Sequence, residues 1–210
     1  MLIESASVLF SNTITAMKRL ITISFTIILA TLSFFAQSSK ETPVRTVPSV
    51  DLNKYSGTWY EIAKYPNKFQ KDCVGNTTAT YTLKGEGKLE VLNRCLEKDG
   101  TEKAAKAAGK VDDKKTNAKL KVRFAPGFTS FLPFVWANYW VIDLADDYSY
   151  AVVGTPDRDY FWILSRKSDM DDATYQAILR RAETQGFVPG KVVKTPQGLE
   201  VGKGTVLSGS

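Results

Sequence analysis

The chain contains no histidine, two cysteines and three methionines among its 210 residues. Without an imidazole there is no Ser–His–Asp or Cys–His nucleophile, no HExxH zinc site and no histidine-ligated haem. Two cysteines cannot supply a four-thiolate metal site. Hydrolase and metalloenzyme chemistry of the common kinds is therefore excluded, and no catalytic residue, metal or cofactor is expected. Nucleic-acid motifs are also missing. The net charge of +6 comes largely from a lysine-rich stretch, with Lys110, Lys114, Lys115, Lys119 and Lys121, that carries neither an RNP-like motif nor a zinc-finger pattern. Such a charge run reads as the solvated face of strands, with weak attraction to anionic lipid as the alternative.

What is present is enough for one domain with a sizeable core, since 43% of residues are apolar and four tryptophans, nine tyrosines and eleven phenylalanines are among them. Met17-Lys18-Arg19 forms a basic start, Leu20–Ala36 is an uncharged apolar run, and Ala36-Gln37-Ser38 is a small-x-small cleavage pattern. This is the pattern of a secretory signal peptide, with an uncleaved anchor as the rival reading. The true start is expected at Met17 and cleavage near Ser38. No cysteine lies near that point to accept a lipid, so a soluble, exported, periplasmic product is expected, with secretion beyond the cell left open. Residues 39–49 read as a linker, 50–197 as the folded domain and 198–210, rich in Gly and Ser, as a disordered tail.

From Tyr55 onward the pattern is of short strands. Lys119–Phe124 alternates, placing Leu120, Val122 and Phe124 on one face. Thr78–Leu83 alternates likewise, with Ala79, Tyr81 and Leu83 on one face, and Lys84–Gly87 turns it into Lys88–Cys95 as a hairpin. Asn138–Leu144, Tyr148–Gly154 and Tyr160–Arg166 are aromatic and β-branched strands separated by Asp-rich turns. Glu102–Val111 is rich in Ala and Lys and is compatible with helix on propensity. One helix follows Ser168-Asp-Met-Asp171, a start resembling a capping box, with Tyr175, Ile178, Leu179 and Ala182 on one stripe and Gly186 at its end.

Gly57-Thr-Trp59-Tyr-Glu61 resembles the lipocalin signature. The Asp147-Tyr148 turn and the strand Phe161-Trp-Ile-Leu-Ser-Arg166 are similar to that family's other two motifs, in matching order. The run Gly154–Arg166 looks most like the bacterial lipocalin and apolipoprotein D branch. The resemblance implies an all-β fold, an eight-stranded antiparallel up-and-down barrel with one C-terminal α-helix packed outside. Gly57, Trp59, Asp147, Tyr148 and Arg166 are then structural, with the Arg166 guanidinium laid over Trp59 at the closed end. Cys73 and Cys95 fall at the open end, and in an exported protein they are expected to be bridged. Regular hairpin pairing leaves them out of register, so a bulge is required.

The barrel is expected to hold a small hydrophobic molecule such as a fatty acid or lysophospholipid, without catalysis, for envelope lipid storage or transport. The expected lining is Glu61, Tyr81, Leu83, Leu120, Val122, Phe124, Trp140, Ile142, Tyr150, Val152, Trp162 and Leu164. The loop with Phe128, Phe131, Phe134 and Trp136 forms the rim; three roles stand open, namely capping the barrel, peripheral membrane contact and a subunit contact such as a homodimer. The alternatives to a carrier are an interaction module using Phe128–Trp136 and a lipocalin-type isomerase using a free cysteine thiolate.

Overall fold

The computed structural model describes residues 42–124 and 135–200. The signal segment and most of the rim loop lie outside them. Eight strands follow one another around a barrel: β1 Gly57–Lys64, β2 Cys73–Leu83, β3 Lys88–Glu97, β4 Glu102–Val111, β5 Lys119–Arg123, β6 Ala137–Leu144, β7 Tyr150–Gly154 and β8 Phe161–Ser165. Each pairs antiparallel with the next, and β1 closes the ring by pairing with both β8 and β2. A closed ring leaves few edges to aggregate. The first half of β1 (Gly57–Tyr60) pairs with β2. Its end has no β2 partner, and the short β9, Val193–Lys194, takes that edge opposite Ala63 and Lys64.

The Ala/Lys-rich segment is a strand, β4, paired along its length with β3 from Lys88↔Lys110 to Leu96↔Glu102. The ladder on both sides outweighs the helix propensity of alanine.

Helix α2, Asp172–Glu183, lies across β6 to β8. Its N-cap is Asp171, whose carboxylate accepts from the Thr174 amide at 2.9 Å. The helix thus begins three residues later than the capping-box reading at Ser168. Tyr175, Ile178, Leu179 and Ala182 are buried against Ile62, Ile142, Val152, Phe161 and Ile163.

The segment read as a linker is packed. Val44 is buried with the helix cluster, Val50 with the barrel interior, and the Val47 amide donates to the Val141 carbonyl at 3.0 Å. It leads into α1, Leu52–Tyr55, a single turn that closes one end of the barrel. There Trp59 is completely buried and donates through Nε1 to the Tyr55 carbonyl at 2.8 Å. The Arg166 guanidinium carbon sits 3.7 Å from the centroid of the Trp59 ring. Arg166 also donates to the carbonyls of Thr58, Lys54, Tyr55 and Ser56 at 2.6–3.2 Å. Gly57, beside this guanidinium, stands at φ +95°, a conformation that a side chain would strain. Tyr148 accepts from the Asp51 amide at 2.9 Å, and Asp147 accepts from the Ser149 amide at 2.9 Å, so the β6–β7 turn is fastened to the same plug.

At the opposite end Cys73 and Cys95 form a disulfide with Cα atoms 5.6 Å apart. The hairpin register is Leu83↔Leu89, which by itself would put Thr77 opposite Cys95. Irregularities between Cys73 and Gly75 and between Gly75 and Thr78 shift the strand until Cys73 faces Glu97, within reach of Cys95.

Candidate functional site

The barrel interior is not filled. Between the Trp59 plug and the open end lies a cavity of about 330 Å³. The room comes from β4, whose inward positions are small. Ala107 is buried and borders the cavity, and Gly109 lies against Leu89. Most of the remaining wall is apolar and aromatic: Ala79 and Tyr81 from β2, Val91 from β3, Val122 from β5, Tyr139 from β6, Val153 from β7, and Trp162 and Leu164 from β8. Phe69, Phe124, Trp136 and Tyr160 stand at the mouth. Phe69 lies against Phe124 (centroids 6.3 Å apart) and Tyr160 (5.8 Å), and Tyr160 stacks on Trp162 (5.7 Å). Trp136 is flanked by Lys110 at 4.3 Å and Arg123 at 5.0 Å.

Of the residues expected to line the cavity, Glu61, Tyr81, Val122, Phe124, Trp162 and Leu164 border it. Leu83 and Leu120 point inward but belong to the packed cluster around Trp59. Trp140, Ile142, Tyr150 and Val152 are on the outer face, against the helix cluster, and the inward phase expected for β6 and β7 is corrected accordingly. Both faces of these strands are buried, the outer one under α2, so hydrophobic alternation cannot distinguish inside from outside. A bulge at Ile142 further breaks the period. The Tyr150 hydroxyl accepts from Arg181 Nη2 at 2.9 Å, and Lys119 lies 4.4 Å above Trp140. Phe128, Phe131 and Phe134 lie outside the described residues. Tyr139, Val153, Phe69 and Gln70 were not expected here. The last two sit on a short turn, Lys68–Gln70, in the loop between β1 and β2 at the open end.

Polar residues also border the cavity, among them Thr77, Asn93, Asn138 and Thr155, and two hydrogen-bonded groups stand out. Glu61, 3% exposed, accepts from Gln70 Nε2 and Thr195 Oγ1, both at 2.6 Å, and pairs with Lys64 Nζ at 2.9 Å. Gln70 in turn accepts from Trp162 Nε1 at 3.1 Å, which ties the loop over the mouth to the barrel wall. Deeper, the hydroxyls of Tyr55, Tyr139 and Tyr81 form a chain with O–O distances of 2.7 and 2.8 Å.

Burial pushes the Tyr81 phenol from 10.0 up to about 12, with the Tyr139 hydrogen bond opposing and the Glu61 charge adding to the rise. Burial raises Tyr55 and Tyr139 as well; at Tyr139 the neighbouring phenols add to the rise, whereas at Tyr55 the Tyr81 phenol adds to it and the Tyr139 hydrogen bond and the Arg166 charge oppose it. An unfolded phenol titrates near 10, so between pH 10 and 12 the unfolded chain holds fewer protons than the native one. Stability is therefore full below pH 10 and falls as pH rises through that window. Tyr81 alone accounts for about 3 kcal/mol at 1.36 kcal/mol per pH unit. Urea titrations of wild type and Tyr81→Phe at pH 9 to 12 check this: the wild type is expected to lose stability more steeply. Parallel curves would show that Tyr81 is not coupled to folding.

Among the described residues no cluster of side chains is suited to hold a metal ion. With Cys73 and Cys95 joined, neither sulfur is a thiolate nucleophile.

Residues 50–197 match the family described as a lipocalin-like domain. Over 155 residues the chain is 39% identical to temperature-induced lipocalin-1 of Arabidopsis thaliana, which covers 73% of this chain and 83% of that protein. It is 37% identical over 173 residues to the outer membrane lipoprotein Blc of Escherichia coli (strain K12), covering 80% of this chain and 93% of that one. Mouse apolipoprotein D (Mus musculus) is 35% identical over 156 residues, covering 70% and 77%. Among solved structures, insecticyanin from the tobacco hornworm Manduca sexta superposes with a TM-score of 0.58 at 24% identity, over 73% of this chain and 84% of that one, a likeness of fold.

Proposed function

Because the chain belongs to the lipocalin family, we propose that it carries one small hydrophobic molecule, of the fatty acid or lysophospholipid class, in its barrel cavity. The observation that carries this reading is the cavity of about 330 Å³, walled by apolar and aromatic side chains and reached through an aromatic mouth. Binding is itself the mechanism. Each methylene moved from water into such a wall contributes roughly 0.8 kcal/mol. Cys73 and Cys95 are bridged and supply no thiolate, which supports a carrier over a thiol-dependent isomerase.

The site of action we propose is the cell envelope, in lipid storage or transport. The apolar Leu20–Ala36 segment behind Lys18 and Arg19 supports export, as does similarity to a protein named as an outer membrane lipoprotein. Both cysteines are spent in the disulfide, which favours a product without an acyl anchor. Phe69 and Phe124, 54% and 48% exposed at the mouth, suit brief contact with a lipid surface during loading.

Native mass spectrometry of the exported chain, with denaturing lipid extraction alongside, tests the reading. A co-purifying acyl lipid released on denaturation is the expected result. A ligand-free barrel that also refuses added acyl lipids would overturn it.

A further inference from the structure

The outer surface of β3, β4 and β5 carries a row of cations that the strand register places side by side. Lys88 stands directly opposite Lys110, and Lys110 directly opposite Lys121. Leu89, Ala107 and Leu120 are buried on the inner face, so alternation along each strand turns these three lysines outward. Lys106, two residues from Lys110, and Lys119, two from Lys121, lie on the same outer face. Like charges directly opposite one another on neighbouring strands weaken the pairing. Carboxylates answer only part of the row: Glu86 lies 3.1 Å from Lys88, and Asp112 lies 3.5 Å from Lys121. Lys106 and Lys110, both exposed, form no ion pair among the described residues.

This cationic face runs into the mouth of the barrel. Lys110 Nζ sits 4.3 Å from the centroid of the Trp136 ring, and the Arg123 guanidinium carbon sits 5.0 Å from the same ring. Arg123 is followed by Phe124, whose ring lies 6.3 Å from that of Phe69. Of the five large apolar side chains exposed among the described residues, Phe69 and Phe124 are the two aromatic ones, and both stand at the mouth. Lysines and bare rings thus form one continuous surface, cationic on the barrel wall and apolar at the rim.

The two halves together select the occupant. A polyanion without an apolar layer would use the lysines and leave the rings in water. A neutral bilayer would take up the rings and leave the lysine row unanswered. An anionic bilayer uses both, because its phosphates meet the lysines while its acyl boundary receives the rings.

We propose that the outer face of β3–β5 and the adjoining rim form one docking surface for an anionic phospholipid bilayer, which sets the mouth of the barrel against the membrane. The inference rests on the carrier reading for what docking achieves, the passage of a chain between bilayer and cavity. Docking itself is measured apart from uptake.

The test is co-sedimentation with vesicles of phosphatidylcholine alone and of phosphatidylcholine with one-third phosphatidylglycerol, at low and at physiological salt, beside thermal melts that confirm each variant is folded. Wild type is expected to bind the anionic vesicles at least about tenfold more tightly than the neutral ones, and to lose affinity as salt screens the lysines. Lys106→Gln combined with Lys110→Gln should weaken this binding about twentyfold, since each lysine at an anionic surface is worth roughly a factor of five. Lys167→Gln combined with Lys191→Gln removes the same charge from exposed positions beside β8 and β9, and should weaken it less than about threefold. Equal losses in the two double variants would make net charge, and not this face, responsible, and the proposal fails. Phe69→Ser should weaken vesicle binding about fivefold as the ring is lost from the acyl boundary. Unchanged binding there would show that the mouth does not meet the bilayer, which also overturns the proposal. So would a DNA duplex that displaces the protein from vesicles at equal phosphate concentration, because the face would then be a general polyanion surface. Wild type that takes up lauric acid but ignores anionic vesicles defeats the docking surface alone. Wild type that docks but takes up no lauric acid defeats the carrier reading and leaves the surface standing.

Discussion

Trp59→Ala is expected to destabilise the barrel by about 3–5 kcal/mol, the range for removing a fully buried tryptophan side chain. Trp59 has no exposure and no water to gain or lose at its surface, so its whole contribution is packing and two directed contacts. Its ring lies 5.0 Å from Tyr55, its Nε1 proton satisfies the Tyr55 carbonyl, and its face carries the Arg166 guanidinium. Deleting the indole opens a void beneath a cation and removes a donor from a buried carbonyl. The collapse that would refill the void is opposed by Arg166, whose hydrogen bonds to four carbonyls hold it in position. At roughly 2–4 °C per kcal/mol for a domain of this size, the melting temperature should fall by about 6–20 °C. Trp59→Phe, which keeps an aromatic face for Arg166, should fall by less than half as much. Equilibrium unfolding in urea measures both. A loss under about 1 kcal/mol for Trp59→Ala would show that the plug is ornamental and that the barrel closes by other means.

Ala107→Phe is expected to abolish acyl binding while leaving the fold intact. Ala107 is on the inward face of β4, paired with Val91, and its methyl group borders the empty space. A benzyl side chain there grows into the cavity and does not displace packed neighbours, so the usual penalty for overfilling a core is small. It occupies the room of several methylenes. At roughly 0.8 kcal/mol per methylene, excluding four of them costs about 3 kcal/mol, or more than a hundredfold in affinity. Titration with lauric acid and 1-lauroyl glycerol, beside a thermal melt, reads both halves of the expectation. Undiminished binding by a folded Ala107→Phe would mean that lipid binds somewhere other than inside the barrel.

The closed end of this molecule is legible in its sequence because its parts are chemically rare. Gly57 and Trp59, the Asp147-Tyr148 turn and Arg166 are far apart in the chain but belong to one plug. The strands β2, β3 and β5 were readable because one face meets water and the other does not. β4 was ambiguous for the same reason that it matters: alanines weaken its strand signal, and one of them, Ala107, borders the cavity. The inward phase of β6 and β7 was not readable, since α2 buries the outer face and the bulge at Ile142 breaks the period. The position of Thr77 depends on an irregular ladder and on contacts more than a hundred residues away in sequence, and no local pattern encodes either. The 42–49 segment looks like a polar linker because only Val44 and Val47 are apolar within it, yet Val44 is buried and the Val47 amide is bonded to the Val141 carbonyl of the barrel.

The central claim is that an acyl chain lies inside the barrel, against β8 and the mouth. Tryptophan quenching by a brominated fatty acid tests it most directly, because bromine quenches indoles at short range and the tryptophans differ in position. Trp162 and Trp136 border the cavity, whereas Trp140 is on the outer face. Saturable quenching that is reduced in Trp162→Phe and in Trp136→Phe, and retained in Trp140→Phe, is the predicted result. Quenching that is lost in Trp140→Phe and untouched in Trp162→Phe would place the lipid outside the barrel and contradict the account.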